Sequence, residues 1–336
     1  MAAPPTLTQR TLWHSKTNSW LTSDDLEFAG ASKFSPTSGD RLRVEAIASL
    51  ISLGTERTVI TQTLPTATAT QMRIPYMQGD FSEQFTYGYS LVGIVIEGPE
   101  QWLQKRVHLL HPHQQFAEVS IHDAHLLPDR LNDDTATLIS NMETAVNALW
   151  DAQPAIGDCI AVFGYGLIGT LVALLLQRVP GVNVHIVEPD VSRAAAAIKA
   201  GFNTSSSVPE NKITDITFNT ATSDQALQAA IDCTGYEGTI VDLSWHGAEL
   251  STLKLGGSFH YDRKRLICSQ VSNIPASRAR RWDYTRRKDL VIALLLDLQD
   301  HLAIDKTISF AEAPEFFNSL RQHSPEERSV VIRYQD

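Results

Sequence analysis

The chain has 336 residues, enough for two domains and a sizeable buried core. Hydrophobic residues make up 43% and charged residues 20%, and the net charge of −10 argues against a nucleic-acid partner, which needs a basic face. Cys159, Cys233 and Cys268 lie far apart and offer neither a disulfide framework nor a CxxC metal site.

Met1-Ala-Ala-Pro-Pro lacks the charged start and apolar stretch of a secretory signal, and the longest apolar run, Leu167 to Leu176, is too short to span a bilayer. The expected setting is a reducing cytoplasm, with no membrane partner. The first hundred residues predict strands broken by turns: Arg41 to Leu53, then Leu91 to Ile96, with a Thr/Pro/Ala loop over Thr61 to Thr70. Strands at Arg106 to Leu110 and Phe116 to Ile121 complete an irregular, mostly antiparallel β-domain. A helix is predicted over Asp133 to Asp151, capped by Asn132 or Asp133.

Strands and helices then alternate. Strands at Cys159–Phe163, Asn183–Val187, Asp215–Asn219 and Thr239–Trp245 are separated by helices running to Arg178, over Val191–Ala200 and over Asp224–Ile231. That spacing predicts an α/β, doubly wound parallel sheet over residues 136–271. Mixed character returns from 272, with a helix at Asp289–Leu298 and a closing strand at Ser329–Tyr334, so 1–135 and 272–336 form the other domain.

Within the alternating part, an apolar strand runs into Gly164-Tyr-Gly166-Leu167-Ile168-Gly169 and then into an apolar helix. This is G-x-G-x-x-G in its dinucleotide-binding context: a tight turn, a close backbone approach to a diphosphate, and a close helix–strand contact. The helix N-terminus favours the phosphates. Glu188 follows the next strand, where an acid grips the adenosine ribose hydroxyls and repels a 2′-phosphate. NAD is therefore expected over NADP, a preference that Arg193 softens.

Leu53-Gly-Thr-Glu56, Gly88-Tyr-Ser-Leu-Val-Gly93, Thr144-Ala-Val-Asn-Ala-Leu149 and the glycine loop together resemble the medium-chain dehydrogenase/reductase superfamily. The Gly-Thr-Glu and Gly-Tyr-Ser versions look like its zinc-type alcohol dehydrogenase-like members, in the subgroup that includes bacteriochlorophyllide a dehydrogenase-like proteins. The resemblance implies a GroES-like β-rich domain beside a Rossmann domain, a cofactor in the cleft between them, a small-molecule substrate and a homodimer. It also implies that Thr144, Thr220, Ala221 and Ser244 line the cofactor together with the loop residues. The family's zinc ligands correspond here to Leu53, Tyr89, Ser90 and approximately Ser140, a poor donor set for zinc, and the four-cysteine structural-zinc lobe is missing. A zinc-free member is expected. The alternative is a replacement metal site built from Glu56, His111, His113 and Glu143.

Without zinc, another group must move the proton while hydride passes at the nicotinamide. The candidates are Thr55, at the family's hydroxyl-relay position, Glu56, Tyr89 in place of the ligand histidine, His113 as a relay to solvent, and Glu143 as a buried base or a paired helix charge. Trp245 and His246 fall at the carboxyl edge of the sheet. The basic run from Arg278 to Lys288, around Trp282 and Tyr284, reads as a solvated helix face or as an anionic-substrate rim. The leading function is NAD-dependent interconversion of an alcohol and a carbonyl. A zinc-free quinone or enone reductase and a non-catalytic cofactor-binding sensor are the alternatives.

Overall fold

The computed structural model describes residues 7–26, 40–61, 66–210, 213–248 and 250–334. The N-terminal pentapeptide and residues 62–65 of the expected loop lie outside the described residues; Thr66–Thr68 form a 3-10 turn. The chain divides into two compact units, Met1–Ser140 with Leu294–Asp336, and Asn141–Ala293. The expected border at 271 thus falls inside the second unit, because residues 272–293 fold with it.

The first unit is built from two sheets. β1 (Leu7–Ser15) and β2 (Ser19–Leu26) form a hairpin, which β4 (Gln84–Thr86) joins along β1. The larger sheet runs β15 (Lys306–Ser309), β16 (Val330–Arg333), β3 (Arg41–Ile51), β5 (Leu91–Glu97), β6 (Arg106–Leu109), β8 (Ala124–Leu126), with β7 (Phe116–Ser120) also on β3. Its pairs are antiparallel except β15 with β16. Long, mostly buried β3 is the spine: Val44, Ala46, Ala48 and Leu50 are all at most 1% exposed.

The strand predicted to reach Leu53 stops at Ile51, and Leu53–Ile60 is a helix, α1. The cause is local: the Glu56 carboxylate, in the first turn, reaches back to accept the N-cap Ser52 N–H at 2.8 Å. The single helix expected over Asp133–Asp151 is two, α2 (Asp133–Ala136) and α3 (Ile139–Ala152). Asn132 caps α2 through the Thr135 N–H, and the Thr137 hydroxyl donates back to the Asp134 carbonyl at 2.6 Å where the helix breaks.

The second unit holds a six-stranded parallel sheet in the order β11 (Asn203–Ser205), β10 (Asn183–Val187), β9 (Cys159–Phe163), β12 (Thr214–Asn219), β13 (Thr234–Asp242), β14 (Arg265–Cys268). Counted from the glycine-loop strand this is 3-2-1-4-5-6, the doubly wound order with its reversal between β9 and β12. β9 is buried from Ile160 onward and α4 (Leu167–Leu176) from Gly169 onward, as strongly apolar segments demand. α5 (Val191–Lys199) and α6 (Asp224–Cys233) start on side-chain caps from Asp190 and Ser223. α6 packs Leu227, Ala230 and Ile231 against Ala161, Phe163 and Ile240.

β13 ends at Asp242, three residues short of the predicted Trp245, which leaves Ser244 and His246 on the loop at the strand's carboxyl end. Two short helices, α7 (Ser258–Tyr261) and α8 (Ala276–Ala279), flank β14, and α9 (Tyr284–Leu298) starts five residues before the expected Asp289 because Asp283 accepts the Arg286 N–H. α10 (Ala313–Gln322) lies between β15 and β16 in the first unit. Among the described residues no helix is long and apolar enough to cross a membrane.

Candidate active site

The glycine loop connects β9 to α4. Gly164 has φ +90° and donates its N–H to the Val187 carbonyl at 2.9 Å, which ties the turn to β10. A Cβ on Gly169 would lie 2.1 Å from the Gly164 carbonyl oxygen, so helix and turn touch there. A Cβ on Gly166 would meet nothing within 4 Å. Gly166 is the N-cap of α4 and has no side chain to close the first N–H groups. The loop therefore presents open space and free donors where a diphosphate would sit, and the residues fit a dinucleotide. Leu167 and Ile168 are part-exposed beside it.

Glu188 is 4% exposed. Its carboxylate accepts from the Tyr165 N–H at 2.7 Å and the Asp190 N–H at 2.9 Å, so beyond the ribose grip expected of it, it holds the loop in shape. Each oxygen keeps a second lone pair for a ribose hydroxyl. Arg193 opens α5, its N–H held by Asp190. Across the switch point, the Thr220 hydroxyl donates to the Phe163 carbonyl at 2.8 Å and lies against Gly164 and Gly169, with Ala221 next to it. Asn219 joins Asp242 (2.9 Å) and Ser244 (3.1 Å). Thr144 is part-exposed on α3.

Glu143 is buried on α3 and accepts from Arg287 Nε at 3.2 Å, with Lys288 Nζ at 3.9 Å. Of the two readings open to it, buried base or paired helix charge, Glu143 takes the second. Arg287 also reaches Asn147 (3.1 Å) and the Val271 carbonyl (2.7 Å). The basic run around it is no uniform solvated face: Arg287 turns inward, Trp282 lies 4.8 Å from Trp150, and Arg286 stacks over Trp282.

The first unit carries a second polar cluster. Glu56 on α1 and His113 on the segment before β7 meet at 3.0 Å (Oε2 to Nε2), both side chains fully buried. His113 Nδ1 faces the Ser49 hydroxyl at 2.7 Å, and Ser49 faces the Tyr334 hydroxyl at 2.8 Å. Burial pushes the Tyr334 phenol far up, so it is a donor. The chain then balances: Tyr334 donates to Ser49, Ser49 to Nδ1, and Nε2–H to Glu56. Gly88 (φ +119°) permits this packing, since a Cβ there would sit 2.7 Å from the His113 ring. His113, expected to relay protons to solvent, is sealed from it.

Tyr89, next to Gly88, is part-exposed, and its hydroxyl bonds the Ser52 and Thr55 side chains. Burial raises its pKa to about 12, with the Glu56 charge adding to the rise, so it is protonated and acts as a donor. Ser90 and Ser140, which the sequence resemblance sets at or near two zinc-ligand positions, both approach His108 Nε2, at 2.9 and 3.5 Å. The replacement metal set does not assemble. His111 stacks on Tyr76 and bonds the Pro112 carbonyl, His113 is committed to Glu56, and Glu143 to its cations. Among the described residues no group of three or more His, Cys, Asp or Glu is arranged to hold a metal ion. Ser49, Tyr334 and His108 carried no sequence signal; Asp242 was missed too, although its partners Ser244 and His246 were named and a charged residue ending a buried strand was a usable signal.

No protein-family model matches the chain. Over 215 residues it is 24% identical to the D-guloside 3-dehydrogenase of Shigella flexneri, a match that covers 60% of this chain and 61% of that one. The chain thus matches less than two thirds of the length of the curated relative. Among solved structures it resembles L-idonate 5-dehydrogenase of Escherichia coli K-12, with a TM-score of 0.76, 9% identity and coverage of 98% and 99% of the two chains. A short chain alcohol dehydrogenase of E. coli CFT073, solved with NADH, superposes with a TM-score of 0.71, 16% identity and coverage of 97% and 99%.

The fold is that of the medium-chain dehydrogenases. The chain carries the glycine loop and an acid after β10, and at the positions that the sequence resemblance matches to zinc ligands it has Leu53, Tyr89, Ser90 and approximately Ser140. Leucine has no donor atom and a phenol that stays protonated is a poor ligand, so these residues do not fit catalytic zinc.

Proposed function

We propose that the chain is a nicotinamide-dependent dehydrogenase that interconverts an alcohol and its carbonyl compound, with NAD favoured over NADP and without catalytic zinc. The observation that carries this reading is the open, donor-lined turn over Gly166, followed by Glu188 at the end of β10. Bound there, the nicotinamide supplies the hydride acceptor or donor. Glu188 orients the adenosine ribose, and its charge disfavours a 2′-phosphate. Tyr89, a donor held by Ser52 and Thr55, is the group for protonating a substrate oxygen as a carbonyl is reduced. The guloside and idonate in the names of the relatives make a carbohydrate hydroxyl the first substrate class to test.

Titration by nucleotide fluorescence tests the reading: NADH binding at least tenfold tighter than NADPH is expected, and the reverse order overturns the cofactor choice. Stoichiometric zinc in the purified protein would overturn the metal-free mechanism. Binding without turnover on sugar alcohols, ketones, quinones and enones would favour a cofactor-binding sensor. A homodimer is part of the same proposal, and sedimentation at micromolar concentration checks it.

A further inference from the structure

The polar network at the carboxyl ends of β12 and β13 holds an ionisable group to which the reading above assigns no task. Phe163, Asn219 and Asp242 sit side by side in register at the ends of β9, β12 and β13. Asp242 is 6% exposed, and its carboxylate gathers Asn219 Nδ2 (2.9 Å), the Ser244 N–H (3.2 Å), the Ser244 hydroxyl (2.5 Å) and His246 Nε2 (3.0 Å). The Ser244 oxygen lies 3.0 Å from the same ring nitrogen.

Facing a carboxylate, Nε2 must carry the proton. In the neutral ring Nδ1 is then an acceptor, and the imidazole remains 21% exposed. A histidine whose tautomer and orientation are set by a buried aspartate is prepared to meet a ligand with its other nitrogen. Its position says which ligand. Val187, Phe163, Asn219 and Asp242 form one row across four strand ends. Glu188 follows the first of these and the glycine loop the second. A dinucleotide with its adenosine at Glu188 and its diphosphate at the loop lays its other nucleoside over β12 and β13.

We propose that His246 binds the nicotinamide nucleoside, Nδ1 accepting a hydrogen bond from its carboxamide N–H or a ribose hydroxyl, with Asp242 as the positioning residue. The inference rests on the dinucleotide reading above and assigns that site's nicotinamide-side contact to this chain's Asp–His pair.

The test is equilibrium titration of the full chain with NADH and with ADP, which carries the adenosine and diphosphate but no nicotinamide. His246→Phe is expected to weaken NADH by roughly tenfold to a hundredfold, the range of one well-placed hydrogen bond, while ADP changes less than threefold. Asp242→Asn is expected to weaken NADH in the same direction, by less. Unchanged NADH affinity in His246→Phe overturns the inference, as does an equal fall for NADH and ADP. Should the variants fail to fold, imidazole proton NMR of the wild type decides. A His246 signal that moves with NADH and not with ADP supports the contact, and one that moves with neither, or with both alike, removes it. A wild type that binds neither NADH nor ADP defeats the dinucleotide reading itself, an outcome distinct from a wild type that binds both and is indifferent to His246.

Discussion

The imidazole of His113 and the carboxylate of Glu56 meet at 3.0 Å with neither side chain exposed to solvent. Fifty-seven positions separate them, and the contact anchors α1 to the segment before β7. With Ser49 it forms a self-satisfied hydrogen-bond chain that ends on Tyr334.

Removing one partner of that pair strands a buried polar group. Glu56→Gln is expected to cost about 3 kcal/mol in urea unfolding, at the lower end for broken buried pairs because an amide oxygen still accepts from Nε2. Tyr334→Phe, at the far end of the chain, is expected to cost about 1 kcal/mol. Wild-type stability in Glu56→Gln would contradict the pairing.

Acid is expected to weaken the first unit through its buried histidines. Burial lowers the His111 pKa from 6.5 to about 4, and His14 is held well below its ordinary value by burial and by nearby His113 and Arg321. A group depressed in the folded state binds its proton more readily when unfolded, so stability falls as pH drops from 6.5 towards the folded pKa. For His111 alone the loss is about 2 kcal/mol by pH 5. His111→Phe, which keeps a ring against Tyr76, is expected to flatten the urea midpoint between pH 7 and 5, and an unchanged slope would place the sensitivity elsewhere.

Two glycines of the loop separate binding from folding. A Cβ at residue 166 enters open space, whereas one at residue 169 strikes the Gly164 carbonyl at 2.1 Å. Gly166→Val is therefore expected to keep its melting temperature and lose measurable NADH binding. Gly169→Val is expected to lose stability by several kcal/mol through overpacking. Normal NADH affinity in Gly166→Val would show that the diphosphate does not pass over this turn.

Tyr89 is protonated below pH 11 with a pKa of about 12, so it serves as an acid or hydrogen-bond donor and does not itself set a pH optimum near neutrality. Tyr89→Phe is expected to reduce carbonyl turnover by about a hundredfold or more and to leave NADH affinity unchanged. Full turnover in Tyr89→Phe would move the proton step to another residue.

In the second unit, Glu143→Gln leaves Arg287 buried beside a neutral amide and is expected to cost about 3 kcal/mol, whereas Glu143→Gln with Arg287→Met restores part of that loss. Additive losses in the double variant, measured by urea unfolding, would show that the two side chains do not act as a pair.

By itself the sequence determined the elements whose cause is local. The apolar strand, three glycines and apolar helix of Cys159 to Leu176 declare themselves by spacing, and Asn132, Asp190 and Ser223 cap their helices within three residues. Chain order then implied the parallel sheet and its carboxyl edge. Long-range partnership decided the rest. Glu143 carried a carboxylate's promise until Arg287, 144 positions away, was found to neutralise it. Ser49 and Tyr334, 285 apart, link hydroxyls only because β16 lies beside β3. Propensity and periodicity reach a few residues along the chain, but the charge, burial and hydrogen-bond partner of a functional side chain are set by whatever the packed sheet brings against it.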